Sequence, residues 1–346
     1  MKMAAIATAI TTALVSGSAL AAEVYSSDGT SLNIGGRAEF RGDFIGKSSG
    51  EELKGSMDNN SRFRVNVGGN TQITNDLSGF GFYEAEQTVN SSGSNDSNTS
   101  FKQRYMYAGL STNFGAVSFG RQDTALVQLS QMSDIATYTG AQKEFINAGN
   151  EQINNNILYA GMFADDALSL KANVVASSKE QDNSYGISGI YTLPMGLGIG
   201  LGYAGGDVCG TRVPADSDNC VSGSEGKSNQ FTGGLSFATG PLYVAGTYTQ
   251  GDINDNLDAD FKGWEIAGQY KFQQGFLAQA VYAKQEVKNS GTTTNKNDYV
   301  ELTGKYYFNN SIHSYLSYKF NMLKADSSTL SKDADDSLRL GLRYDF

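Results

Sequence analysis

The sequence predicts an all-β fold, a 16-stranded antiparallel transmembrane β-barrel, and three observations predict it. Near the carboxyl end, Leu338, Leu340, Leu342, Tyr344 and Phe346 share one side of a strand, while Arg339, Gly341, Arg343 and Asp345 share the other. Successive side chains of a strand point to opposite faces, so one face is apolar and the other charged. An unbroken apolar row ending in an aromatic suits a lipid-facing wall around a wet interior. The same alternation recurs along the chain in runs of about ten residues, the length a tilted strand needs to cross a bilayer. Finally, 41 glycines and 11% aromatics accompany only 3 prolines. Each proline would remove a ladder donor from a sheet without a free edge. Mean hydropathy is a modest −0.35, as expected when half of every strand faces water.

Residues 1–21 read as a signal peptide. Lys2 is their one charge, an apolar stretch runs from Met3 to Val15, and Ala19 and Ala21 are the small residues a signal peptidase requires. The apolar run is too short to span a bilayer as a helix. The expected mature chain is the barrel, residues 22–346, with the formal charge moving from −10 to −11 as Lys2 is lost.

The first strand, 31–44, sends Leu32, Ile34, Ala38, Phe40 and Phe44 outward and Asn33, Arg37, Glu39, Arg41 and Asp43 inward. The second, 62–73, repeats this with Phe63, Val65, Val67 and Ile73 against Arg62, Arg64, Asn66, Asn70 and Gln72. Further strands are expected at 77–90, 101–112, 116–124, 155–163, 167–178, 184–194, 196–207, 228–239, 242–252, 261–272, 276–287, 297–309, 312–323 and 336–346. Alternation is clean in 167–178, 261–272 and 297–309 and mixed in 77–90 and 276–287, as if the outer face of the mixed strands met a neighbouring subunit.

Connections alternate too. Tight turns such as Asn75-Asp76, Pro194-Met195-Gly196 and Gly240-Pro241 carry turn-forming residues. Between them lie long polar stretches at 45–60, 90–100, 208–227, 252–260, 288–296 and 324–335. Short turns on one rim and long loops on the other match periplasmic and extracellular ends. Tyr105, Tyr107, Tyr306, Phe308, Tyr318, Phe320, Tyr344 and Phe346 lie near strand ends and would supply aromatic girdles. Residues 125–154 break the pattern. Leu126, Val127, Leu129, Met132 and Ile135 give this long connection apolar content unsuited to open water, so it is expected to fold into the lumen as a constriction loop.

The acidic balance argues against nucleic acid as a partner and favours a cation-preferring lumen. Cys209 and Cys220 sit in a polar Gly/Asp/Ser stretch and are expected to form one loop disulfide; the single His313 is too distant to make them a metal site. Nothing calls for a cofactor. Gly200-Leu-Gly202-Tyr-Ala-Gly205 spells a dinucleotide fingerprint without its following helix. Arg41-Gly42-Asp43 alternates inside a strand. Residues 252–260 lack the glycine and bidentate glutamate of a calcium loop. One histidine beside a turn is poor equipment for a barrel hydrolase.

Arg104-Tyr-Met-Tyr-Ala-Gly-Leu110, Ala116-Val-Ser-Phe-Gly-Arg-Gln122, Gly69-Asn-Thr-Gln-Ile73, the opening Ala22-Glu-Val-Tyr25 and the ending Leu340-Gly-Leu-Arg-Tyr-Asp-Phe346 resemble the Gram-negative general diffusion porins, most closely the outer-membrane-protein-U branch. The resemblance covers the whole mature chain. It implies a homotrimer in outer-membrane lipid and lipopolysaccharide, inserted by the barrel-assembly machinery, that passes small hydrophilic solutes. Tyr344 and Phe346 fall where that machinery reads its signal. In the family, basic wall residues face acidic residues of the third loop. Arg37, Arg64 and Arg104 match the basic positions and Asp134 one acidic position. Tyr138 stands at the second acidic position, and Asn154 or a neighbour at the basic position opening the sixth strand, so the transverse field should be weaker unless Glu144, Lys143 or Arg121 compensates. Rival readings are a surface adhesin or phage receptor on the same barrel, and a substrate-specific channel.

Overall fold

The computed structural model describes residues 21–45, 57–89, 101–214, 218–323 and 335–346. The expected leader lies outside these except for Ala21, as do most of the connections 45–60, 90–100 and 324–335. The strands are β1 (Ala22–Ser27), β2 (Thr30–Ile45), β3 (Asp58–Asn59), β4 (Arg62–Thr74), β5 (Leu77–Thr88), β6 (Lys102–Thr112), β7 (Gly115–Gln122), β8 (Ile153–Phe163) and β9 (Leu168–Val175). They continue as β10 (Ser184–Thr192), β11 (Leu197–Cys209), β12 (Glu225–Thr239), β13 (Leu242–Asn254), β14 (Ala259–Lys271), β15 (Phe276–Asn289), β16 (Thr292–Tyr307), β17 (Ile312–Asn321) and β18 (Ser337–Asp345).

Neighbours in this order pair antiparallel, and β18 closes the ring by pairing Ser337–Asp345 with Arg37–Ile45 of β2. The short β1 folds back on the start of β2, along the same edge that β18 occupies further up, and β3 lies beside Gly42 and Asp43. The wall is therefore a closed barrel of sixteen strands. Closure leaves no free sheet edge, which a wall in hydrocarbon requires.

Outward side chains form an apolar band. Ile187, Leu201 and Ile266 expose 58%, 58% and 59% of their surface, values that would be costly in water over so many strands and are natural against lipid. Inward positions on the same strands are small or polar: Ser184, Gly186 and Ser188 on β10, and Gly198, Gly200 and Gly202 on β11.

Two expectations change. The connections 252–260 and 288–296 are mostly strand, because β13 to β16 run on above the wall and leave a turn at Ser290-Gly291. The mixed strands carry apolar inner faces. On β5, Phe80 and Phe82 point inward and pack with Tyr105 and Tyr107 of β6; on β15, Val281 and Val287 are buried inside the barrel. Tyr105 and Tyr107 therefore line the lumen and belong to no girdle, whereas Phe308, Phe320 and Tyr344 are exposed on the outside.

Candidate constriction site

Residues 123–152, between β7 and β8, enter the barrel as one short helix, α1 (Val127–Ser130), followed by turns at Ala141–Lys143 and Asn147–Gly149. The segment carries its own apolar anchors. Leu126, Ile146 and Ala148 pack with Ala204, Phe261 and Val287 of the wall, and Leu129 and Met132 pack with Ala245. The glycine-rich strand β11 makes room for them: a Cβ at Gly200 would lie 2.6 Å, and one at Gly202 2.8 Å, from the methyl carbons of Leu129. Burying the leucine against these glycines contributes about 2 kcal/mol of the loop's attachment.

Polar groups of the wall satisfy the loop's backbone. Asn173 Oδ1 accepts from Ala125 N at 2.9 Å, Tyr243 OH donates to Met132 O at 2.7 Å, and Gln279 Nε2 donates to Ile135 O at 2.6 Å. At the far wall the buried Glu301 accepts from Thr137 N at 2.8 Å and Tyr138 N at 3.0 Å. Arg339 is paired with Asp43 at 2.7 Å, donates to Thr137 O at 2.5 Å and lies 3.9 Å from the Tyr138 ring centre. Charge-assisted bonds of this kind are the strong ones, so the loop is held at both sides of the lumen.

Opposite the loop, Arg37 and Arg64 are cross-strand partners on β2 and β4. Arg64 reaches Glu86 at 2.6 Å and Glu84 at 3.3 Å, and Arg104 reaches Glu84 at 2.8 Å. Arg62 adds a bond to Glu39 at 2.5 Å. Arg104 owes its position to a β-bulge: Gln103 opposes Ala85 and Tyr105 opposes Glu84, leaving Arg104 unpaired in the ladder and turned inward. A cavity of about 210 Å³ brings Arg37, Arg64, Arg104 and Lys171 together with Asp123, Gln131 and Glu151 at the base of the loop.

A family model described as Gram-negative porin matches residues 4–346. The chain belongs to the Gram-negative porin family. Porin-like protein L of Photobacterium profundum is 33% identical, covering 99% of this chain and 98% of its own length. Outer membrane protein U of Vibrio vulnificus is 35% identical over the full length of both. Among solved structures, Salmonella typhi OmpF in complex with daunomycin superposes with a TM-score of 0.75 at 20% identity, over 94% of this chain and all of that one. Vibrio cholerae OmpT in its trimer form gives 0.70 at 17%, over 92% and 100%. This porin is thus an integral barrel of the outer membrane.

Arg37, Arg64 and Arg104 share the cavity of this porin, but Asp134 is not among the residues lining it. Asp134 is held instead by Lys143 at 2.7 Å and Thr139 at 2.7 Å. The loop carboxylates that line the arginine cavity are Asp123 and Glu151, one just past the end of β7 and the other just before β8. Burial, with the nearby Glu151 second, pushes the Asp123 carboxyl up to about 6. Burial works against the Lys143 charge, but Asp134 and Glu151 outweigh it and hold the lysine above its usual range. Arg121 donates to the carbonyls of Gln103 and Arg104 and to Asn154 Oδ1, so it braces the bulge. Tyr138 sits under Arg339. Elsewhere, Cys209 and Cys220 are bonded to each other, and Arg212 within their loop pairs with Asp182 at 3.1 Å, pinning two rim loops together. His313 lies in the wall with its ring centre 4.9 Å from that of Tyr307.

Proposed function

We propose that this porin passes ions and small hydrophilic solutes passively, with a mild preference for cations, through each barrel of a homotrimer. The observation that carries the reading is the loop 123–152 crossing a closed lumen whose remaining walls are charged. Width and lining charge then decide what passes, without a reaction. The loop brings Asp123, Asp134, Glu144 and Glu151 against the single Lys143, which favours cations. Phe80, Phe82, Tyr105 and Tyr107 cluster on β5 and β6, while Tyr243 and Tyr299 bond the loop backbone and Tyr315 bonds Glu39. Liposomes containing the protein should admit neutral sugars at rates falling smoothly with size; admission of one sugar out of order would favour a specific channel.

Two outer features support assembly as a trimer in lipid. A groove of about 590 Å³ on the outer face of β18, β2, β4 and β5 is lined by Phe40, Phe63, Val89, Leu342 and Tyr344. Beside it, the outer face of β5 carries Gly79 and Gly81 next to the exposed Tyr83. The OmpT relative is described in a trimer form. Phe346 closes the seam of the barrel: its N–H and carbonyl bond Gly36 at 3.1 and 2.8 Å, and its ring stacks on Phe63. Deleting Phe346 should reduce outer-membrane levels at least tenfold through failed closure and failed recognition by the assembly machinery, while Arg339→Ala should leave them near normal. Immunoblots of outer-membrane fractions check this, and normal levels of the deletion would refute it.

A further inference from the structure

The loop bears five charged side chains between β7 and β8, and four of them are acidic. The exception is Lys143. Its Nζ lies 2.7 Å from an oxygen of Asp134 and 2.7 Å from an oxygen of Glu151, so one ammonium bridges a carboxylate from the middle of the loop and one from its end. The arrangement is layered. The lysine side chain is 10% exposed, whereas Asp134 and Glu151 are 22% and 21% exposed. Water and ions therefore meet the carboxylates first and the lysine lies behind them. Glu151 also lines the cavity that holds Arg37, Arg64 and Arg104, so the bridge reaches directly into the passage.

We propose that Lys143 sets the ion selectivity of this porin by masking Asp134 and Glu151, holding the preference for cations well below what the loop's acids would otherwise impose. This rests on the channel reading above and adds to it a residue that acts from the loop rather than from the wall. Two carboxylates bound to one buried cation present a net charge of one, not two, to a passing ion. Removing the cation changes the local charge where low dielectric and exclusion of salt leave it poorly screened. The loop does not depend on Lys143 alone for its place, since Glu301, Arg339, Gln279, Tyr243 and Asn173 hold its backbone independently.

Reversal potentials in a salt gradient across planar bilayers test the proposal. Lys143→Gln should raise the cation-to-anion permeability ratio by roughly two- to fivefold at 0.1 M salt. Lys143→Arg should restore the parent ratio. The double variant Asp134→Asn/Glu151→Gln, which leaves the lysine unmasked, should shift the ratio toward anions by at least as much. A role limited to shaping the loop would change conductance for cations and anions alike and leave the ratio in place. An unchanged ratio in Lys143→Gln, or an equal shift in Lys143→Arg, would overturn the proposal. If Lys143→Gln fails to assemble, the double variant decides: no shift toward anions overturns it. The parent's own conductance, recorded in the same bilayers, separates a failure of this inference from a failure of the channel reading.

Discussion

The two halves of the lumen obey the same alternation rule and use it oppositely. From β9 to β15 the inner face is largely small, apolar, hydroxylic or amide, with Gly200, Gly202, Ser188, Thr247, Asn173, Gln279 and Val287 and few charges, Lys171 and Glu265 among them, and it lies under the loop. From β18 through β2 to β6 it carries Arg37, Arg62, Arg64, Arg104, Glu84 and Glu86 and faces the passage. The outer faces of both halves are apolar. Lipid thus imposes one pattern all round the barrel, while the content of the lumen decides what each inner position must be. The covered half is a seat, and the open half is an electrostatic wall.

The largest effect should come from disturbing the seat. Gly202→Leu would place a Cβ 2.8 Å from Leu129 and 3.0 Å from Ile187 O, and the remaining side chain has no space unless the loop moves. Overpacking of this kind costs about 1–3 kcal/mol, so the loop should be displaced and single-channel conductance should change markedly. Gly233→Leu, outward on β12 with its nearest neighbour at 3.6 Å, should conduct like the parent. Equal conductance in both variants would break the distinction between the halves.

A smaller effect belongs to the wall. Arg64→Ala or Arg104→Ala leaves Glu84, and for Arg64 also Glu86, facing the passage without that partner, and should strengthen cation preference by about 1 kcal/mol. Asp134→Asn should weaken it by less, because Lys143 already offsets that carboxylate. Reversal potentials rank the three, and an Asp134→Asn shift larger than that of Arg64→Ala would contradict the assigned pairing.

The smallest effect concerns pH. Asp123 is held above its ordinary value, up to about 6, so it takes up a proton as pH falls from 7 to 5. One negative charge beside the arginines is then lost, and cation preference should decline over that window. The sign for stability is the reverse of the usual carboxylate: a folded-state pKa above the unfolded one adds stability as pH falls through 6. Asp123→Asn should remove most of the selectivity change, and a full-sized change in that variant would assign it elsewhere.

Much of the barrel was legible in the sequence because lipid enforces alternation, and strand ends fall within a few residues of the expected ones except where β15 and β16 run on. The strands that read as mixed, β5 and β15, are those whose inner face meets an aromatic cluster or the loop instead of water. Alternation of polarity carries no information there. Arg64 and Arg104 could be found from the motifs that follow them. Asp123 and Glu151 were missed because they sit just outside strand ends, where neither periodicity nor motif applies, although paired acids flanking the long connection were the available signal. The partnership of Asp134 with Lys143 depends on how an irregular loop folds back on itself, and no local pattern encodes that.

The most direct test of the account is single-channel recording of the purified protein in planar bilayers over a range of potassium chloride concentrations. A loop-narrowed, water-filled general diffusion pore with acids exposed on the loop should open in discrete steps, conduct in near proportion to salt, and reverse at a potential displaced toward the cation side in a gradient. Conductance that saturates at low salt, or a reversal potential on the anion side, would contradict it.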